Sequence, residues 1–196
     1  NGFIKIEYDN IVALKEALEN NKNVAGFLVE PIQGEVGVYV PSEGYLKSAK
    51  ALSEEYGVLF IADEVQTGIA RTGRLLATCG NCSCVDKNCS GTPDVKPDVL
   101  ILGKALSGGA YPVSAVLANN TIMNVIKPGN HGSTFGGNPI AASVAVAALD
   151  VVRDEDLAEN AYRLGEIFRQ ELSSFAKENK WVKTVRGKGL LNRSEE

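Results

Sequence analysis

Lys104 follows directly on an apolar run, Val99-Leu100-Ile101-Leu102-Gly103, and opens onto the small residues Ala105-Leu106-Ser107-Gly108-Gly109. A strand that delivers one lysine into such a loop places an amine at the carboxyl edge of a sheet, where open α/β sheets hold their chemistry. Two earlier apolar runs deliver acids in the same way. Residues 24–29 end on Glu30, and residues 58–62 end on Asp63 and Glu64. One amine and two carboxylate positions at three strand ends suit chemistry on an amine. A lysine partly withdrawn from water there is a usable nucleophile toward carbonyl groups. Asp63, closing an apolar strand, is expected to have a cationic partner, because an unpaired carboxylate is costly in such a place.

The stretch His131-Gly132-Ser133-Thr134-Phe135-Gly136-Gly137-Asn138-Pro139 joins two hydroxyls to exposed amides and a helix start. Hydroxyl and N–H donors of that kind can hold a phosphate, although a plain turn with a helix cap would read alike. The run ending on Asp63-Glu64 would also fit the Mg²⁺-binding acidic strand of a nucleotide hydrolase. That chemistry needs a GxxxxGK[ST] loop, and Gly187-Lys188-Gly189 lacks both its spacing and its hydroxyl. His131 is the only histidine, so a histidine metal site or a Ser-His-Asp triad would rest on one residue; it reads as structural. Cys79, Cys82, Cys84 and Cys89 are spaced C-x2-C-x-C-x4-C. Zinc, a labile disulfide or a redox-sensitive loop are all open to such a set. The tight C-x-C spacing favours an exposed insertion over residues 79–94, with no metal.

The elements that must carry these residues alternate. Asp9 is expected to cap a helix over residues 11–19, with Val12, Ala13, Leu14, Ala17 and Leu18 as its apolar face. Residues 24–29 read as a strand buried on both faces. After a loop at Pro31 and Gly34, Ser42 is expected to cap a second helix, which Gly57 ends before the strand at 58–62. Strand, helix, strand in this order is the unit of a parallel sheet, and the fold class is α/β. Residues 113–117 read as another strand. Asn138-Pro139 starts a helix whose Ala/Val-rich body, 140–152, is expected to be buried on most sides. An amphipathic helix follows over 157–178, and residues 181–185 read as a strand of a different subdomain.

A chain of 196 residues with 44% hydrophobic and 22% charged residues can bury a full core. Its net charge of −4 and lack of a basic stripe argue against a nucleic-acid partner. No run reaches the roughly 18 apolar residues of a membrane span. NGFIKIEYDN has no secretory pattern. Leu190-Leu191 reads as the opening of a further strand just before the last residues, so a piece of a longer protein is expected.

Four segments, GFLVEPIQGEVGV (26–38), LFIADEVQTGIARTGR (59–74), PDVLILGKALSGGAYPVSAVLA (97–118) and HGSTFGGNP (131–139), resemble in that order the class III, fold-type I aminotransferases that use pyridoxal 5′-phosphate (PLP). The resemblance implies a three-layer sandwich around a mostly parallel sheet. Residues 1–152 would be part of the PLP-binding large domain, and 153–196 the linking helix and start of a small domain. It also implies roles. Lys104 would hold PLP covalently and then move the proton. Asp63 would pair with the ring nitrogen, Val65 pack on a ring face, and Gln66 bond near the phenolic oxygen. Ser133 and Thr134 would bind the phosphate in the neighbouring subunit's site, making the protein a homodimer. Glu35 would govern specificity by masking an arginine that lies beyond Glu196, with Glu30 behind it.

ALSGGAYPVSAV, GIARTGR and VRGKGLLN are similar to class members that transfer the δ-amine of ornithine to 2-oxoglutarate. Members acting on acetylornithine or 4-aminobutyrate, and a truncated non-catalytic relative, remain alternatives. The partners implied are small amino acids and 2-oxo acids, in the cytoplasm or mitochondrial matrix and not secreted. The family's Gly-rich phosphate cup and stacking aromatic precede Asn1, so the chain alone is expected to bind PLP weakly or not at all.

Overall fold

The computed structural model describes residues 2–79 and 95–195. Cys82, Cys84 and Cys89, with most of the expected 79–94 insertion, lie outside the described residues. Strands β1 (Gly26–Val29), β2 (Leu59–Asp63), β3 (Val99–Leu102) and β4 (Ala115–Ala118) form one sheet in that order. The first three are parallel; β4 runs antiparallel to β3 and pairs Ala115 with Leu102. The α/β class and the mostly parallel sheet agree with the sequence reading. Helices α1 (Ile11–Asn20) and α2 (Tyr45–Glu55) precede β1 and β2. The short α3 (Asn120–Met123) and the long α4 (Pro139–Asp154) and α5 (Leu157–Glu178) come after β4, and a hairpin of β5 (Thr184–Lys188) and β6 (Leu191–Glu195) closes the chain.

Alternation along the strands decides where the core lies. Phe27, Val29, Phe60 and Ala62 turn to one face and pack with Leu14 and Leu18 of α1 and Leu46 and Ala49 of α2. Phe60 is wholly buried, its ring edge-on to Phe27 at 5.9 Å. Truncating such a residue to alanine costs about 3–5 kcal/mol. The other face carries Leu28 and Val116, each 55% exposed. The first strand is therefore not buried on both faces as expected: burial depends on what covers a strand, which an apolar run does not record.

Two caps also differ from expectation. Asn10, not Asp9, caps α1, accepting from Ala13 N at 2.9 Å. Asp9 instead takes Ser42 Oγ at 2.7 Å and Ser42 N at 2.9 Å, so Ser42 is not the cap of α2 either; that helix starts from Gly44, at φ 84°. Asn138 caps α4 as expected, through Ala141 N at 2.9 Å. The body of α4 is not buried on most sides: Ala141 is, whereas Ile140 and Val146 are 62% and 60% exposed. In α5 the buried positions are the small Ala161 and Gly165, and a Cβ on Gly165 would come within 1.9 Å of Gly189 O. The expected strand over 181–185 begins only at Thr184, with Trp181 exposed. Among the described residues no helix is long and apolar enough to cross a membrane.

Candidate active site

Three parallel strands bring their carboxyl ends to one edge. Asp63, the last residue of β2, pairs in register with Ile101, and Lys104 stands three residues further on. Glu30 follows the last residue of β1. The lysine opens a 3₁₀ turn, Lys104–Ser107, with its backbone at φ 43°. Positive φ on a residue with a long side chain is strained backbone, which gathers at functional sites. Leu106 anchors the turn below, buried against Ile69 and Leu102. The amine stays above it, with a side chain 54% exposed, so the withdrawal from water expected of Lys104 is not found within this chain.

Glu35 meets this amine. Its Oε1 lies 3.8 Å from Lys104 Nζ and accepts from Gln66 Nε2 at 2.9 Å. Gln66 reaches it across Gly34, where a Cβ would fall 1.5 Å from Gln66 Oε1. Both charged partners are largely exposed, so the ion pair itself adds little. Glu30 holds the same loop from inside: its Oε2 accepts from Gly34 N at 3.0 Å. Tyr8 donates to the carbonyls of Glu30 (3.3 Å) and Pro31 (3.0 Å), and burial, more than its neighbours Tyr45, Asp9 and Glu30, pushes its phenol well up.

Asp63 is half-buried, and its Oδ1 accepts from Val65 N at 3.1 Å. The cationic partner expected for it is not found: among the described residues no Lys or Arg makes an ion pair with it. Val65 packs toward Gly103, where a Cβ would meet it at 3.2 Å, beside Lys104. The structure thus brings Lys104, Glu35 and Gln66 into contact and sets Asp63 and Val65 at the neighbouring strand end. It does not bring Ser133 and Thr134 to them. Both are exposed, and Ser133 Oγ accepts from Gly136 N within its own loop at 2.9 Å. His131 is exposed in the same loop, which gives its structural reading no support from burial.

Glu64, read from the sequence only as a strand-end acid beside Asp63, is wholly buried. It accepts from Thr67 Oγ1 (2.7 Å), Ala77 N (2.9 Å) and Thr78 N (2.8 Å). These bonds tie the turn that carries Asp63, Val65 and Gln66 to the later segment at Ala77 and Thr78. The strand alternation was the available signal, since neighbours on a strand face opposite ways.

A family profile described as aminotransferase class-III matches residues 4–195. The mitochondrial ornithine aminotransferase of Drosophila ananassae is 59% identical over 97% of this chain and 41% of its own length. Among solved structures, an acetylornithine aminotransferase from Elizabethkingia anophelis gives a TM-score of 0.88 at 60% identity, over 98% of this chain and 47% of that one. An ornithine aminotransferase from Toxoplasma gondii, crystallised with oxidised glutathione and with partial occupancy of PLP at its active site, gives 0.87 at 51% identity. It is matched over 99% of this chain and 43% of that one. The chain spans less than half the length of these relatives.

Proposed function

The chain belongs to the class III aminotransferase family, and from this premise we propose that it carries the amine-handling edge of an enzyme that moves the δ-amine of L-ornithine to 2-oxoglutarate. The products are glutamate 5-semialdehyde and glutamate. The family is PLP-dependent. The residues present fit that group: a lysine amine and a half-buried carboxylate, unpaired with any Lys or Arg among the described residues, stand at neighbouring strand ends. When bound, PLP supplies an aldehyde that captures amines and a protonated ring that draws electrons.

Lys104 would hold the cofactor, and its Nζ would carry the proton to and from the amine-bearing carbon of the substrate. Asp63 would accept a hydrogen bond from the ring N–H, filling the oxygen that Val65 N leaves open. Val65 would lie against the ring, and Gln66 would reach its phenolic oxygen. Ser133 and Thr134 would hold the phosphate of a neighbouring subunit, which accounts for their exposure here and makes the enzyme a homodimer. Glu35 would select between substrates, because a weak, exposed ion pair can be exchanged for a partner on the substrate. Glu30 would set the loop that carries it. Residues 1–152 would be part of the cofactor-binding domain and 153–196 the start of the next. The compartment would be the mitochondrial matrix or the cytoplasm.

The observation that carries the proposal is Glu35 and Lys104 meeting three residues beyond the register partner of Asp63, an acid with no ion pair to a Lys or Arg among the described residues. The test uses the protein at its natural length. Borohydride reduction in the presence of PLP, followed by peptide mapping, should leave the cofactor on the peptide containing Lys104. Lys104→Ala should abolish both that label and amine transfer; a label that persists elsewhere in the variant sinks the assignment. A second reading, acetylornithine as the amine donor, draws support from the 60% identity to the Elizabethkingia anophelis enzyme. Faster turnover of acetylornithine than of ornithine would decide for it.

A further inference from the structure

The turn that carries Glu35 is a small closed unit. Gln33 and Tyr39 exchange two backbone hydrogen bonds, at 3.0 and 2.9 Å, and the amides of Gly37 and Val38 both donate to Gly34 O. Glu35 sits at the tip. From the opposite end of the chain, Arg186 of β5 reaches the outer arm of this turn. Its Nε donates to Gly37 O at 2.7 Å, and its guanidinium carbon lies 4.3 Å from the centre of the Tyr39 ring. Nη2 donates to Glu195 Oε1 at 2.6 Å, which fixes the plane of the group. Gly37 has φ +134°, and a Cβ there would come within 2.9 Å of Arg186 Nη2, so the approach needs glycine at that position.

One flat cation thus grips the turn twice, by a carbonyl and by a ring face. A lysine, a point charge on a flexible stem, cannot do both at once. The pair between Glu35 and Lys104 is long and exposed. It is too weak to set the position of Glu35. Gln66 Nε2 holds the carboxylate at 2.9 Å, and the turn sets where the backbone presents it.

Resting on the reading of Glu35 given above, we infer that Arg186 is a positioning residue for substrate discrimination, holding the turn that presents Glu35 to Lys104. It touches neither substrate nor cofactor. Its loss would leave cofactor capture intact and shift the balance between the two substrates, the amine donor and the 2-oxo acid acceptor.

The test is a double-mutant cycle on the cofactor-loaded protein at its natural length. Glu35→Gln should change the ratio of kcat/KM for ornithine to that for 2-oxoglutarate. Arg186→Gln should move the ratio the same way, by about fivefold, within the range of coupling between residues that act through one another. The double variant should match Glu35→Gln alone. Two readouts separate positioning from general damage: PLP affinity of Arg186→Gln should stay within twofold of the parent, and hydrogen exchange should quicken at the amides of Gln33 and Tyr39. Should Arg186→Gln fold poorly, Tyr39→Leu removes only the ring face and should shift the ratio in the same direction by a smaller factor. Unchanged ratios in Arg186→Gln and Tyr39→Leu, where Glu35→Gln does change it, overturn this inference alone. So do fully multiplicative effects in the double variant. No shift in Glu35→Gln overturns the specificity role of Glu35 and this inference together.

Discussion

Asp63 and Glu64 are adjacent acids with opposite fates, and the difference is one of face. Asp63 spends one oxygen on Val65 N at the sheet edge and makes no other side-chain hydrogen bond among the described residues, while Glu64 turns inward and spends both on Thr67, Ala77 and Thr78. Glu64→Gln would put an amide N–H₂ against backbone donors it cannot satisfy. Urea denaturation should show a loss of about 1–3 kcal/mol, the cost of leaving a buried donor without its acceptor. A variant as stable as the parent would mean that the carboxylate is not holding the segment. Lys104, Asp63 and Glu35 were legible because a strand end or a resembling motif marks each by position. Glu64 was legible as a strand-end acid but its buried role was not, because its partners Ala77 and Thr78 lie 13 and 14 residues on, and no local pattern announces them. Arg186 is further still from what it touches, 149 residues from Gly37.

Helix ends show how far local chemistry reaches. Asn138 caps α4 and Asn10 caps α1, each bonding the amide three residues on. Asn138→Ala should lower stability by about 1 kcal/mol, the usual worth of such a cap, measured as a shift in the urea midpoint. Ser42 had the right residue type for a cap, but Asp9 takes both its hydroxyl and its amide. A tertiary hydrogen bond outcompeted a local one, and sequence patterns see only the local candidate. The apolar body of α4 misled in the opposite sense. Its residues predict a helix buried on most sides, yet Ile140, Val146 and Val151 remain exposed at 62%, 60% and 45%. Apolar character reports what a helix can bury, whereas its packing partners decide what it does bury.

Over the whole molecule, the same surplus of apolar surface recurs on α5, where Phe168 and Phe175 are 51% and 52% exposed. Surface of this kind predicts that the 196-residue chain alone will bind a hydrophobic dye and self-associate in light scattering; a monodisperse monomer that ignores the dye would refute this. Alkaline pH should also loosen it. Burial pulls the Lys50 ammonium down, but hydrogen bonds to Asp98 and Glu54 outweigh it and leave it above its ordinary value. The Tyr8 phenol, too, is raised. Both groups bind protons more tightly folded than unfolded, so the stability they lend is whole below roughly pH 10, near their unfolded values. It is lost as pH climbs through the folded values. Urea midpoints should therefore fall above that pH, and less steeply in Tyr8→Phe. One trait of the sheet reaches beyond stability. Because β4 returns beside β3, with Ala115 opposite Leu102, residues 103–114 leave and re-enter the framework through a single doorway. Such a segment is a cassette: exchanging it for the equivalent stretch of a relative would alter the surroundings of the amine while every strand kept its register.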